Sequence, residues 1–231
     1  SELLPARVLV LGGEAASAGL VDAVLGAAGC AVVNHYGPTE TTVGVAAAWL
    51  GPGGGVPIGR ALPHARLYVL DRFLNPVPVG VVGELYIAGV GVARGYRGRP
   101  DLTADRFVPD CLAGDGSRMY RSGDRVRWRV DGQLEFLGRV DDQVKVRGFR
   151  VEPGEVEAAL TALAGVAAAA VVADGEGAER RLVAYLVPAE EGEGVPGADE
   201  LRARLVRTLP GHLVPAVFVE LASLPRTANG K

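Results

Sequence analysis

Apolar positions along the chain fall into three successive rhythms. Residues 7–11 form a short apolar run closed by Gly12-Gly13-Glu14, residues 17–28 are rich in Ala, Leu and Val with no proline, and 31–34 is apolar again before a polar loop. Run length and breakers predict a buried strand, a helix and a second strand. A helix between two strands implies that they pair in parallel. From residue 57 the rhythm shortens to runs at 66–70, 83–88, 125–130 and 133–137 between proline and glycine turns. Asp131-Gly132 between the last two is a two-residue hairpin signal, so a small β subdomain is expected. Beyond residue 139 the period changes once more. Pro153 suits the first turn of a helix that presents Val156, Leu160 and Leu163 on one face. Strands are expected at 166–173 and 182–187, an exposed loop at 190–197, and a helix striped by Leu201, Leu205 and Leu209. The fold class is therefore α/β plus α+β: an α/β unit over 1–50, a β subdomain over 57–138, and a compact α+β domain over 143–231. Because the chain opens inside an α/β unit, much of its first domain is expected to lie upstream.

Composition narrows the partners. The 231 residues are 48% hydrophobic with a net charge of −3, enough for one or two cores. Nucleic acid and anionic membranes both demand a basic face, so no nucleic acid and no membrane are expected as partners. No uninterrupted apolar run reaches spanning length, and Ser1 opens no signal-like segment. Cys30 and Cys111 stand far apart without paired spacing. That spacing predicts neither zinc nor disulfide but two buried free thiols in a reducing cytoplasm. Lys145 and Lys231 are the only lysines among 24 basic residues. An ammonium is a compact point charge that the arginine fork does not replace at a tight phosphate.

The densest chemistry sits in Asn34-His35-Tyr36-Gly37-Pro38-Thr39-Glu40-Thr41-Thr42. Gly37-Pro38 fixes a turn and so aims the side chains on either flank. A Tyr36 ring can stack on a purine, the Thr39 hydroxyl can donate to a phosphate oxygen, and Glu40 offers oxygen to magnesium. A bare Gly-Pro-Thr would be read as a surface turn; the full string points to a nucleotide.

The chain resembles the adenylation domains of nonribosomal peptide synthetases, relatives of acyl-CoA synthetases and luciferases. The resemblance rests on that loop and on five further strings in family order: Gly83-Glu84-Leu85-Tyr86-Ile87-Ala88-Gly89 through Ala93-Arg94-Gly95-Tyr96, Tyr120-Arg121-Ser122-Gly123-Asp124, Gly138-Arg139-Val140-Asp141, the run from Gln143 to Glu157, and Leu224-Pro225-Arg226-Thr227-Ala228-Asn229-Gly230-Lys231. Collinear order at plausible spacing argues against coincidence. An acyl-CoA ligase, or a non-catalytic nucleotide-binding or docking module, are the alternatives.

The resemblance implies an ATP-dependent ligase that forms an aminoacyl adenylate, releases pyrophosphate, and passes the aminoacyl group to the phosphopantetheine thiol of a peptidyl carrier protein within a larger synthetase. It implies that Gly12, Gly13, Asn34, Tyr36, Thr39, Asp124, Phe136 and Arg139 hold the nucleotide, Asp124 on the ribose hydroxyls. Lys231, Thr39 and Glu40 would be catalytic, with Glu40 on magnesium. Residues 139–142 would be a hinge centred on Asp141, with 143–231 a lid that presents Lys231 in one state and Lys145 and Gly148 in another. Val10, Gly12, His35, Val43 and Gly44 would line the amino-acid pocket in a pattern resembling aspartate-activating members, asparagine or another small polar amino acid being the alternative. Singly, each has a plainer reading: a terminal lysine in solvent, a turn-forming aspartate, a surface arginine, a strand-to-helix glycine turn, a solvated loop histidine. The family's phosphate loop and amino-anchoring aspartate lie upstream of the positions matched here, so this chain alone is expected to bind ATP weakly and turn over little.

Overall fold

A computed structural model of the protein describes residues 7–27, 29–175, 179–190 and 194–225. It divides into two compact units, Ser1–Asp141 and Asp142–Lys231.

In the first unit β1 (Val8–Gly12), helix α1 (Ala18–Ala27) and β2 (Ala31–Tyr36) follow one another. β1 and β2 pair in parallel with Gly12 opposite His35, as the strand–helix–strand order predicts. Ser17 starts the helix by accepting the Leu20 N–H on its hydroxyl at 3.2 Å. Residue 28, the expected end of the helix, lies outside the described residues. β3 (Ala46–Leu50) joins β2 antiparallel, and β4 (Arg60–Ala61) joins β3. Val21 and Val24 of α1 pack with Cys30, Val32, Ala48 and Leu50, with Leu9 and Leu11 against them. The expectation of a buried first strand needs correction, because successive strand residues face opposite sides and α1 covers one side. Val8, Val10 and Gly12 are exposed.

The second sheet holds β5 (Ala65–Leu70), β6 (Gly83–Gly89), β7 (Phe107–Pro109), β8 (Arg118–Trp128) and β9 (Leu134–Arg139), with helix α2 (Pro100–Arg106) running into β7. Its order is β5-β6-β8-β7, with β9 on the other part of β8. Leu85, Ile87, Phe107, Tyr120, Val126 and Leu134 fill its core. The turn Asp131-Gly132 joins β8 and β9, with Gly132 at φ 76°. The strand expected at 125–130 is the end of β8, which begins at Arg118. Polar Ser122 and Asp124 interrupt the apolar alternation, yet both are buried. Their polarity is answered internally: the Ser122 hydroxyl donates to the Leu85 carbonyl at 2.7 Å and accepts the Asp124 N–H at 3.0 Å. One cysteine expectation also fails. Cys30 is buried, whereas Cys111, in the turn after β7, is exposed.

The second unit begins with the hairpin β10 (Val144–Val146) and β11 (Phe149–Val151), then helix α3 (Pro153–Thr161), β12 (Val166–Asp174), β13 (Arg181–Pro188), helix α4 (Ala198–Leu205) and β14 (Val217–Glu220). β13 is central, antiparallel to β12 and parallel to β14. Val156, Leu160, Leu186, Leu201 and Leu205 are fully buried together, and Leu163 packs against them. Leu209 reaches the same core from beyond the end of α4. Among the described residues no helix is long and apolar enough to cross a membrane.

Both tryptophans, Trp49 and Trp128, belong to the first unit, so their fluorescence reports its unfolding alone. Leu186→Ala, which empties part of the second core, should destabilise that unit by ~2–5 kcal/mol. In urea the circular-dichroism signal should then lose a component early while the tryptophan transition stays in place. Coincident displacement of both signals would show that the two cores do not unfold separately.

Candidate functional site

Asp124 is the meeting point of three sequence strings. It lies just before a bulge in β8, opposite Arg139 of β9. The Tyr36 hydroxyl, 88 residues earlier, donates to its Oδ2, and Arg139 Nη1 donates to its Oδ1 at 2.5 Å. The Arg139 fork also bridges Asp141, Nε to Oδ1 at 2.6 Å and Nη2 to Oδ2 at 2.9 Å. Nη2 also donates to the Ser122 carbonyl at 3.1 Å. Buried charges hold their position when paired and hydrogen-bonded in this way, and a planar fork matches a carboxylate bidentately. Burial, and then the Asp124 charge, push the Tyr36 hydroxyl well above the usual tyrosine value, so it remains a neutral donor. Burial alone would raise the Asp141 carboxyl, but Arg139 and Arg106 outweigh it and hold it below the usual carboxylate range.

The loop after β2 is tied down from both ends. A short 3₁₀ turn spans Thr39–Thr41. Of its threonines, Thr41 is buried with its hydroxyl on the Pro38 carbonyl at 3.1 Å, while Thr39 is exposed. Glu40 accepts the Tyr96 hydroxyl on Oε1 at 2.7 Å, and its carbonyl accepts the Ala93 N–H at 2.8 Å. The Thr42 hydroxyl donates to the Gly91 carbonyl at 2.8 Å. The Gly83–Tyr96 string therefore supports the loop that carries Thr39 and Glu40. Burial, followed by hydrogen bonds with Tyr120 and Glu40, raises the Tyr96 hydroxyl above its ordinary value and keeps it a donor. Among the described residues no three His, Cys, Asp or Glu side chains gather as a metal site. A carboxylate such as Glu40 suits magnesium, which commonly takes one or two protein oxygens and completes its shell with phosphate and water.

The expected pocket residues share one neighbourhood. Register places Gly12 beside His35 across β1 and β2, with Val10 two residues along the same face. Thr42 and Val43 both adopt left-handed backbone, φ 63° and 66°, which costs β-branched residues about 1–3 kcal/mol each. Tight bonds offset that cost: Gly44 N–H to the Thr42 carbonyl and Val45 N–H to the Tyr36 carbonyl, both at 2.8 Å. A Cβ on Gly37 would sit 2.1 Å from the Val43 carbonyl oxygen, and one on Gly44 would sit 2.2 Å from the His35 ring. At Gly37 the obstacle is backbone, so that position requires glycine, whereas at Gly44 it is the His35 ring, which a side chain there would have to displace. Asn34 is buried with its amide on the Pro57 carbonyl at 2.7 Å, which makes it a brace for the strand end. Phe136 on β9 is 38% exposed.

Lys145 and Gly148 belong to the second unit, on the β10–β11 hairpin. Arg147 and Gly148 turn it at φ 51° and 81°, the pattern of a two-residue hairpin. Lys231 lies outside the described residues. Four contributors escaped the sequence reading: His64, whose Nε2 lies 2.9 Å from the Gly44 carbonyl oxygen; Tyr96; Ser122; and Arg106, 3.3 Å from Asp141. Tyr96 and Ser122 stand inside recognised strings, which was a usable signal. His64 and Arg106 reach the site only through folding.

Comparison with known proteins places this geometry in context. A family model described as AMP-binding enzyme matches residues 1–97, and one described as AMP-binding enzyme C-terminal domain matches 155–231. The chain is 53% identical to isonitrile lipopeptide synthase of Mycobacterium tuberculosis, over 99% of this chain and 9% of that protein. It is 49% identical to phosphinothricin tripeptide synthetase PhsC of Streptomyces viridochromogenes, over 100% of this chain and 21% of that one. The chain thus spans a small part of the length of these relatives. Among solved structures, holo-PA1221, a peptide synthetase protein with adenylation and carrier domains, superposes with TM-score 0.83 at 30% identity, over 97% of this chain and 39% of that one. The Vibrio cholerae adenylation domain AlmE, in complex with glycyl-adenosine-5'-phosphate, gives TM-score 0.84 at 28% identity, over 95% and 42%.

Asp141 makes a signed prediction. Its folded pKa is depressed, so its pairing stabilises the first unit above the unfolded value of about 3.9 and is lost as pH falls through the folded value. Asp141→Asn should therefore lower stability near neutrality and differ less from wild type in acid. Urea midpoints across pH check this, and a neutral-pH midpoint equal to wild type would contradict it.

Proposed function

Because the chain belongs to the adenylation domains of nonribosomal peptide synthetases, within the AMP-binding enzyme family, we propose that it serves a synthetase that activates an amino acid and hands it to a carrier-bound phosphopantetheine thiol. The observation that carries the reading is the convergence of Tyr36 and Arg139 on the Asp124 carboxylate. A carboxylate with two accepting oxygens beside an aromatic ring suits a nucleoside, whose ribose offers paired hydroxyls and whose base offers a flat face. Gly12 and Gly13 let backbone approach the base; Thr39 faces phosphate.

In the first step an amino-acid carboxylate oxygen bonds to the α-phosphorus, the bond to the bridging oxygen breaks, and pyrophosphate leaves with the electron pair. Such transfer depends on positioning and on fixed positive charge against the spreading negative charge. Lys231 is proposed to supply that charge. Magnesium, when bound, would be held by Glu40 and would neutralise phosphate charge. In the second step a carrier thiol, its proton lost to solvent, attacks the acyl carbonyl and AMP departs. Lys145 and Gly148 on the β10–β11 hairpin would serve that step, with residues 139–142 as the hinge and the second unit as the lid.

Aspartate is the proposed substrate. His35, packed over Gly44 and beside Gly12, offers a ring that, when protonated, can pair with a side-chain carboxylate in an otherwise apolar pocket.

In the adenylation domain that contains this chain, aspartate should drive ATP–pyrophosphate exchange above other amino acids; equal or better exchange with unrelated amino acids would remove the assignment. Lys231→Ala should lower exchange by about a hundredfold or more, as loss of one charge stabiliser does. Asp124→Asn should chiefly raise the KM for ATP, by ~10-fold, in line with a charged hydrogen bond of about 1.5–3 kcal/mol. The 231-residue chain alone should show little exchange.

A further inference from the structure

The loop after β2 turns back on itself through a backbone form that few residues hold. The Gly44 N–H donates to the Thr42 carbonyl at 2.8 Å around Val43, whose φ is 66°. That is the strained form of the γ-turn, here centred on a β-branched residue. Its two ends are pinned. Thr42 donates its N–H to the Thr39 carbonyl at 3.2 Å and its hydroxyl to the Gly91 carbonyl at 2.8 Å. Beyond the turn the Val45 N–H donates to the Tyr36 carbonyl at 2.8 Å. Gly44, between them, is the residue through which the strain would relax, since glycine accepts backbone rotations that other residues resist. Its carbonyl is held from outside the loop. His64 Nε2 lies 2.9 Å from the Gly44 oxygen, and against a carbonyl that nitrogen must carry the proton and donate. The peptide plane joining Gly44 to Val45 is thus fixed on both edges, its C=O by His64 and its N–H by Tyr36.

His64 owes its place to backbone rather than to packing. It is exposed, so its ring fills no core position. Pro63 and His64 form the middle of a tight turn in which the Ala65 N–H donates to the Leu62 carbonyl at 2.9 Å, and proline presets φ at the first of those positions. The Leu62 N–H donates to the Val45 carbonyl at 2.9 Å, which sets the turn beside the loop. On the other side β6 lies flush against it: a Cβ on Gly89, at φ 125°, would sit 2.2 Å from the His64 carbonyl oxygen. What the bond from His64 holds is the floor under His35. Gly44 is so close to the His35 ring that an added Cβ would lie 2.2 Å from Cε1 and Nε2. We propose that His64 is a positioning residue: by latching the Gly44 carbonyl it keeps the strained 42–44 turn shut and so holds the His35 ring in place at the pocket. The inference rests on the reading of His35, Val43 and Gly44 as lining the amino-acid pocket, and it names a specificity-determining residue outside that lining.

Two substitutions separate the hydrogen bond from the shape of the side chain. His64→Phe keeps a ring and removes the donor, whereas the amide of His64→Gln reaches about as far as Nε2 and restores one. In site-resolved amide hydrogen exchange on the 231-residue chain, His64→Phe should speed Gly44 and Val45 by about fivefold, the size of effect that one hydrogen bond gives. His64→Gln should recover most of the protection. The amides of Val77 and Val140, bonded to the Val69 and Gly123 carbonyls elsewhere in the first unit, should keep their wild-type rates. In the adenylation domain that contains this chain, His64→Phe should raise the amino-acid KM by about fivefold while kcat and the ATP KM hold. His64→Gln should bring that KM back. The inference falls if Gly44 and Val45 exchange no faster in His64→Phe than in wild type, if all four amides speed alike, if glutamine fails to rescue, or if the ATP KM rises with that of the amino acid. Exchange is read without turnover, so a domain that activates no amino acid would defeat the proposed function while the exchange rates still decide the latch.

Discussion

One guanidinium shared between two carboxylates organises the first unit. Arg139 spans Asp124 and Asp141, and its Nη2 also donates to the Ser122 carbonyl. A lone arginine or aspartate at this depth would be costly; together, and with Tyr36 donating to the remaining Asp124 oxygen, the charges satisfy one another. The arrangement explains two otherwise awkward features of the sequence. Gly123 is needed because any side chain would displace both arginines and Asp141, and Ser122 is needed because its hydroxyl ties the bulged strand back to β6. Removing Arg139 would take from the buried Asp124 carboxylate the guanidinium that pairs it.

That shared cation also joins chemistry to mechanics. Asp124 belongs to the proposed nucleotide site and Asp141 to the end of the first unit, yet they answer to the same side chain. Asp141 is thereby tied to the same bonded group as the carboxylate proposed to hold the ribose, and packed and paired groups move as a body. The loop from Asn34 to Gly44 shows the same economy. Left-handed Thr42 donates its N–H to the Thr39 carbonyl and its hydroxyl to the Gly91 carbonyl, and just beyond left-handed Val43 the Val45 N–H donates to the Tyr36 carbonyl. The strain therefore sits beside the residues expected to choose the amino acid, in a loop too tightly bonded to relax.

Agreement between sequence and structure follows the range of the forces involved. Residues 7–36 announced strand, helix and strand because apolar period and the Gly12-Gly13 break are local signals, and the parallel pairing followed from chain connectivity. Asp131-Gly132 named its turn unaided. By contrast, β8 starts seven residues before its expected start, because Ser122 and Asp124 look like surface residues until Leu85 and Arg139 satisfy them. Cys111 was misplaced because burial depends on which strands flank a turn, which neither its residue type nor its spacing records.

By itself, then, the sequence determined the element rhythm, the two-part organisation and the family, and it singled out the side chains proposed to handle a nucleotide, since residue type, glycine placement and motif order are properties of the chain. Only the tertiary structure decided that Tyr36, Asp124, Arg139 and Asp141 form one bonded group, that Tyr96 braces Glu40, and that Arg106 reaches Asp141. Those pairings span up to 88 residues. They depend on sheet register and a bulge, which are fixed by the packing of the whole core and by no segment alone.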